Sequence, residues 1–95
     1  MSKLEEQRLI RQAEIGATIR MRRKQLRMTQ ESLALYCGLG KIAITRIETG
    51  KTNPSLHTLA EIAQALGLRL SLGEYVIAPR HFATGNDEPE NEDSE

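Results

Sequence analysis

Residues 29–50 read TQESLALYCGLGKIAITRIETG. Thr29, which is followed by a glutamine, is a signal for the start of a helix. Gly38 and Gly40 bracket a tight turn before a second short segment, which Gly50 ends. The stretch therefore predicts a helix of about seven residues, a turn of about four residues and a second short helix.

The second of these helices is expected to have two different faces. Ile44 and Ile47 are three residues apart and share one face, whereas Ile42 lies about 200° of helical rotation from Ile44. Two short helices joined by a glycine-containing turn match a helix-turn-helix, whose second helix can enter the major groove of DNA. The face opposite the two core isoleucines is therefore expected to contact DNA. It carries Lys41, Ile42, Thr45, Arg46 and Thr49.

Helical patterns continue on both sides of this stretch. Upstream, Ser2 fits a capping box, and one long helix or two abutting helices are expected to run to about Gln25. Residues 3–14 either continue the first helix or form a separate arm. Downstream, Ser55 caps a further helix whose apolar stripe ends at Gly67.

After the last helix the apolar period changes to two. Leu68, Leu70 and Leu72 alternate with polar residues, which predicts a half-buried strand of about five residues. Nothing earlier in the chain has strand character, so the expected partner is the same strand of a second subunit across a two-fold axis. The expected fold is all-α, with four to five helices and one short C-terminal strand that pairs across a dimer.

Charge is segregated along the chain. The sequence has 13 Lys+Arg and 13 Asp+Glu and is formally neutral at pH 7. Residues 16–51 carry a net charge of +6, whereas residues 86–95 carry six acidic residues and no basic one. The net charge is thus zero because a basic segment and an acidic segment cancel. The basic segment contains the helix-turn-helix, which favours a nucleic-acid partner.

Other features argue against an enzyme, a metal site or an exported protein. No apolar run approaches the roughly 20 residues of a membrane span, and residues 1–6 lack the pattern of a signal peptide. Cys37 is expected to be a buried small hydrophobe, and His57 and His81 have no partners at metal-ligand spacing. We therefore expect a cytoplasmic, nucleoid-associated protein without a cofactor, a metal or a catalytic residue.

The order of short motifs in the chain carries a family resemblance. The runs are IGATIRMRRK at 15–24, MTQESLA at 28–34, GL at 38–39, ITRIETGK at 44–51 and PSL at 54–56. In this order, and without gaps, they resemble the Cro and phage-repressor (XRE) type of helix-turn-helix protein. The resemblance covers residues 15–68 and implies a repressor-type DNA-binding domain.

Positions on the second helix suggest how DNA would be read. Arg46 can donate two hydrogen bonds to a guanine, Lys41 can reach a guanine edge or a phosphate, and Ile42 can meet a thymine methyl group. The alternative for such charged side chains is a solvated helix face. DNA contact is the preferred interpretation because the opposite face is already committed to the core.

Further roles are implied by the resemblance alone. Gln30 would touch phosphate and brace the recognition helix, and Thr49 and Lys51 would hold phosphate after it. Arg23 and Glu48 match a pair that forms a partly buried salt bridge. The alternative for that pair is two surface charges.

Two positions depart from the family pattern. Arg27 stands where the family usually has glycine, so a left-handed turn at this residue would be strained. Gly40 stands where serine or threonine usually caps the recognition helix, which weakens the cap by roughly a few tenths of a kcal/mol.

The predicted strand at residues 68–72 indicates a particular group of DNA-binding proteins. A helical domain followed by GLRLSL at residues 67–72 is similar to HipB-type antitoxins. That likeness implies a homodimeric repressor of a palindromic operator in double-stranded DNA, which autorepresses its operon and binds a HipA-like toxin kinase. The alternatives are a stand-alone regulator of the phage-repressor or restriction-controller type, and a helical interaction module that has lost DNA binding.

Four segments are expected. They are an N-terminal helical extension at 1–14, the DNA-binding domain at 15–67, a dimerisation strand with its following segment at 68–82, and a disordered acidic tail at 83–95. The tail has four open interpretations: it solubilises the chain, binds a basic toxin surface, competes for the DNA face or serves as a degradation handle.

Overall fold

The computed structural model describes residues 2–71 and 76–79. Within these residues, four helices precede two short strands. In chain order they are α1 (Lys3–Gln25), α2 (Gln30–Cys37), α3 (Lys41–Glu48), α4 (Leu56–Leu66), β1 (Leu68–Ser71) and β2 (Val76–Pro79). The predicted helical domain is confirmed, and α2 and α3 with the turn between them form the helix-turn-helix.

Helix α1 is one continuous element of 23 residues. The Ser2 hydroxyl accepts from the Glu5 amide at 3.1 Å, and the Glu5 carboxylate accepts from the Ser2 amide at 3.0 Å. These two bonds complete the predicted capping box. Residues 3–14 therefore continue the first helix and do not form a separate arm.

The ends of α2 and α3 follow the local sequence. The Thr29 hydroxyl caps α2 by accepting from the Ser32 amide at 3.0 Å, and Gly38 ends that helix at a φ of 71°. Gly40 caps α3 without a side-chain hydrogen bond, because glycine has no side-chain oxygen. Arg27, in the turn before α2, has a φ of 59° and is the one non-glycine residue of the described chain in the left-handed region.

The core joins all four helices. Its largest fully buried side chains are Ile19 of α1, Leu33 of α2, Ile44 of α3, and Ile62 and Leu66 of α4. Since each helix contributes at least one of them, no helix of this bundle can be displaced without exposing apolar surface. Helix α3 is therefore anchored to the core by its buried side.

The chain ends its described part in a two-stranded antiparallel sheet. Leu68 lies opposite Pro79 and Ser71 lies opposite Val76, while Leu68 is buried against the helical core. The expectation that β1 has no partner in its own chain was wrong. The apolar run of β2 has too few residues to show a period, so its strand character is not evident from the sequence pattern. Leu72 and residues 83–95 lie outside the described residues.

Candidate nucleic-acid interface

Helix α3 turns one face to the core and the other to solvent. Ile44 and Ile47 are 0% and 4% exposed, whereas Ile42 is 69% exposed. Arg46 is exposed on the same side as Ile42 and forms no ion pair with any described residue. All five side chains that the sequence assigns to this face are exposed. They are Lys41, Ile42, Thr45, Arg46 and Thr49.

Gln30 ties the start of α2 to α3. Its Nε2 donates to Glu48 Oε1 at 3.1 Å, and its Oε1 accepts from the Thr45 hydroxyl at 3.1 Å. These bonds use both ends of the amide, so the orientation of the side chain is defined. Gln30 therefore braces α3, while its contact with phosphate remains a prediction.

Arg23 and Glu48 form a bidentate ion pair between α1 and the last residue of α3. Arg23 Nε lies 2.7 Å from Glu48 Oε2, and Arg23 Nη2 donates to Glu48 Oε1 at 3.0 Å. The side chains are only 9% and 1% exposed, and the hydrogen bonds that Arg23 donates to the Glu48 carboxylate raise the pKa of Arg23 above its usual value. Arg23 Nη1 also donates to the Met28 carbonyl at 2.8 Å, which fixes the turn before α2. One guanidinium thus holds three parts of the domain together.

Lys41 has an intramolecular partner that sequence reasoning missed. Its Nζ lies 3.1 Å from Glu31 Oε2 on the first turn of α2, and both side chains are more than half exposed. A hydrogen bond from its own backbone amide, followed by Lys41, lowers the pKa of Glu31. The two residues are ten positions apart and meet only because the turn brings two helix starts together. To contact DNA as the sequence predicts, Lys41 would have to leave Glu31 or share it.

The residues that follow α3 differ in what they can offer to a phosphate. Lys51 is exposed, and its backbone amide is bonded to the Arg46 carbonyl at 2.8 Å, so the side chain projects from a defined turn. Thr49 caps the helix, and its hydroxyl donates to the Thr45 carbonyl at 2.8 Å. Thr49 would therefore have to break this side-chain bond to the Thr45 carbonyl before its hydroxyl could donate to a phosphate.

Gly16 allows α1 and α3 to touch, and sequence reasoning missed this role. A Cβ at Gly16 would lie 2.8 Å from the Glu48 carbonyl oxygen and would also collide with that of Ile47. Nearby, Gln12 Nε2 donates to the Gly50 carbonyl at 3.3 Å. An isolated glycine within a long helical pattern is the sequence signal that indicates such a close contact. This close approach sets the tilt of α3 against the rest of the domain.

The remaining reactive side chains that the structure describes are Cys37 and His57. Cys37 is half-buried against the core, and burial raises the pKa of its thiol, which disfavours the nucleophilic thiolate. His57 is exposed beside Glu61, and no group of three or more potential metal ligands is present among the described residues. His81 lies outside them. No helix in the described part of the chain is long and apolar enough to span a membrane.

Comparison with known proteins places this geometry in a family. A family model described as helix-turn-helix matches residues 19–72. The chain is 34% identical over 80 residues to the immunity repressor protein of Bacillus phage phi105, an alignment covering 82% of this chain and 56% of the phage protein. It is 42% identical over 50 residues to an uncharacterized HTH-type transcriptional regulator of Haemophilus influenzae, covering 53% of this chain and 51% of that protein.

A third relative is an uncharacterized HTH-type transcriptional regulator of Methanothermobacter thermautotrophicus, 45% identical over 49 residues, covering 52% of this chain and 71% of that protein. The chain thus spans about half the length of the first two relatives. The matched residues contain α2, α3 and the turn between them, as well as the Arg23–Glu48 pair. Since the family model covers more than half of the 95 residues, the chain belongs to the helix-turn-helix family.

Proposed function

We propose that this protein is a sequence-specific, DNA-binding transcriptional repressor that acts as a homodimer on a palindromic operator. The observation that carries the proposal is the exposed face of α3, where Ile42 and Arg46 project from a helix anchored by Ile44 and Ile47. An apolar isoleucine and an arginine side by side on one exposed helix face suit a major groove that offers thymine methyl groups and guanine edges. The similarity to a phage immunity repressor supports the same conclusion.

Two classes of contact are expected on this surface. Arg46 is proposed to read a base, whereas Lys51 is proposed to neutralise a phosphate. Base contacts determine which sequence is preferred, and phosphate contacts determine how strongly binding falls with salt. The two residues can therefore be distinguished by measurement.

The first experiment is a footprint on the DNA upstream of the gene, followed by binding titrations at several salt concentrations. Arg46→Ala should weaken operator binding by about 1–3 kcal/mol and relax the preference at one base pair. Lys51→Ala should weaken binding to all sequences and reduce the slope of log K against log salt by about 0.9. Lys3→Ala removes the same charge from the distant end of α1 and should change neither quantity. Wild-type protein without any sequence preference would contradict the proposal.

The proposed dimer uses the sheet. A two-stranded hairpin is marginally stable in water, and the edge of β1 that faces away from β2 has no strand beside it among the described residues. Antiparallel pairing of two β1 strands across a two-fold axis would join two hairpins into a four-stranded sheet. Two recognition helices would then read half-sites about 34 Å apart or a multiple of this distance.

The sequence resemblances leave two alternatives for the repressor: a stand-alone regulator and an antitoxin with a protein partner. The stand-alone repressor is favoured by the phage immunity repressor, which aligns over most of this chain. The antitoxin hypothesis, with a HipA-like kinase as partner, depends on the strand at residues 68–72, and β1 has a partner within its own chain. A kinase-like reading frame next to the gene, and co-purification of its product with this protein, would support the antitoxin. Absence of both would favour the stand-alone repressor.

A further inference from the structure

An open groove lies beside the proposed DNA surface and shares Thr49 with it. The groove runs between the second half of α1 and the end of α3, and its cavity volume is about 800 Å³. Met21 contributes an apolar side chain that is 57% exposed, and Thr49 forms the end nearest the recognition face. The groove is therefore continuous with the surface proposed to bind DNA.

The groove is basic. Arg20 and Lys24 lie one helical turn apart on its α1 side, are exposed, and form no ion pair within the described part of the chain. Glu48 also lines it, but its carboxylate is 1% exposed and is bound to Arg23 and Gln30. No lining carboxylate is therefore available to neutralise the two cations, and the groove fits an extended anion.

The chain itself contains a matching anion. Six of the nine residues at positions 87–95 are acidic and none is basic. The described chain ends at Pro79, which lies opposite Leu68 in the sheet. Leu68 follows Gly67, where an added Cβ would lie 3.7 Å from Arg22 Nη2. The chain therefore leaves the described fold next to Arg22 of α1.

The distance from that point to the groove is within reach. Arg20 and Lys24 each lie about 200° around the helix from Arg22, and half the circumference of a helix 10–12 Å wide is about 16–19 Å. Residues 80–86 can span up to about 24 Å when extended. Position 87 can therefore arrive at the groove, and the acidic residues that follow can extend along it towards Thr49.

We propose that the acidic segment 87–95 binds in the groove between α1 and α3 through Arg20 and Lys24 and competes there with the phosphates of DNA. This inference rests on the proposed function for its consequence but not for the contact itself. The bound segment places negative charge next to the recognition face and must be displaced before phosphates can enter the groove, which weakens DNA binding. The segment thereby acts as an intramolecular competitor of DNA.

The contact is tested without DNA on the full-length chain. The test variant carries Asp87→Asn, Glu88→Gln, Glu90→Gln, Glu92→Gln, Asp93→Asn and Glu95→Gln. Backbone amide NMR shifts of residues 17–25 and 49 should differ between this variant and the wild type, and the difference should vanish at high salt. Arg20→Ala/Lys24→Ala should abolish the difference, whereas Lys3→Ala/Arg8→Ala, with the same loss of charge, should preserve it. Shifts that are absent, or that map to another surface, would overturn the proposal.

The consequence is tested by binding of random-sequence duplex DNA at about 50 mM salt. Neutralising the six acids should tighten binding by about 2- to 20-fold, the range expected for two exposed ion pairs. The gain should be largely lost in the Arg20→Ala/Lys24→Ala background and retained in the Lys3→Ala/Arg8→Ala background. An equal gain in both backgrounds would refute competition at the groove. Failure of every form to bind DNA would instead refute the proposed function and leave the NMR result standing.

Discussion

At the scale of single residues, the Arg23–Glu48 pair has the largest structural consequence. Both charges are taken out of water, which is costly, and the cost is offset by two short hydrogen bonds to each other and by bonds from Arg23 to the Met28 carbonyl and from Gln30 to Glu48. Removal of either partner leaves a buried charge without compensation. The pair therefore acts as a unit that positions α3.

Mutation of this pair should be strongly non-additive. Arg23→Ala or Glu48→Ala alone should lower the free energy of unfolding by about 3–5 kcal/mol, because each leaves the other charge buried. The double variant should lose much less than the sum of the two single losses. Urea denaturation of the wild type, the two single variants and the double variant gives the coupling energy of a double-mutant cycle. Strictly additive losses would show that the pair contributes no coupling.

Arg27 is a second residue that affects stability, through the strain of its backbone conformation. Its φ of 59° places a side chain in the left-handed region, which costs about 1–2 kcal/mol for a non-glycine residue. Arg27→Gly should therefore be more stable than Arg27→Ala by about 1 kcal/mol in urea denaturation, after allowance for the greater freedom of glycine in the unfolded chain. Both variants remove the same charge, so their difference isolates the backbone strain. Equal stabilities would show that the turn relaxes.

At the scale of secondary-structure elements, the contact between α1 and α3 sets the orientation of the recognition helix. Gly16 lets the two backbones approach until the carbonyl oxygens at the end of α3 lie against α1. Backbone atoms cannot rotate away as a flexible side chain can. The position of α3 therefore depends on the absence of a single Cβ.

Gly16→Ala should destabilise the domain by about 1–3 kcal/mol, as expected for overpacking, and should move the end of α3 outward. Operator affinity should fall even at temperatures where the protein stays folded. Ala17→Gly provides a matched control, because Ala17 is exposed on the same helix and only helix propensity should change there, by about 1 kcal/mol. Unchanged operator binding in folded Gly16→Ala would show that the close approach has no functional role.

At the scale of the whole molecule, the sheet is the proposed site at which two domains join. We expect sedimentation equilibrium to give a dimer for the wild type and a monomer after deletion of residues 68–73, with much weaker operator binding. Leu68 belongs to the core, so Leu70→Ser/Leu72→Ser is a second variant that leaves it in place. Circular dichroism should show that its helices remain folded. An unchanged dimer in both variants would place the subunit interface elsewhere.

The helices were predictable because their signals are local. Thr29, Gly38 and Gly40 mark the ends of α2 and the start of α3 with single residues, and the alternation of Ile42 against Ile44 and Ile47 defines which side of α3 is buried. The strand β1 was predictable from its period. Its partner was not, because β2 is four residues long and no local pattern specifies which strand edge it meets.

The sequence by itself determined the ends of α2, the buried and exposed sides of the recognition helix, and the separation of basic from acidic residues along the chain. Each of these depends on neighbours within one or two helical turns. Tertiary structure alone decided that Lys41 meets Glu31, that Gly16 admits the end of α3, and that β1 pairs within its chain. These contacts join residues separated by 5 to 32 positions, and only packing of the complete core brings them together.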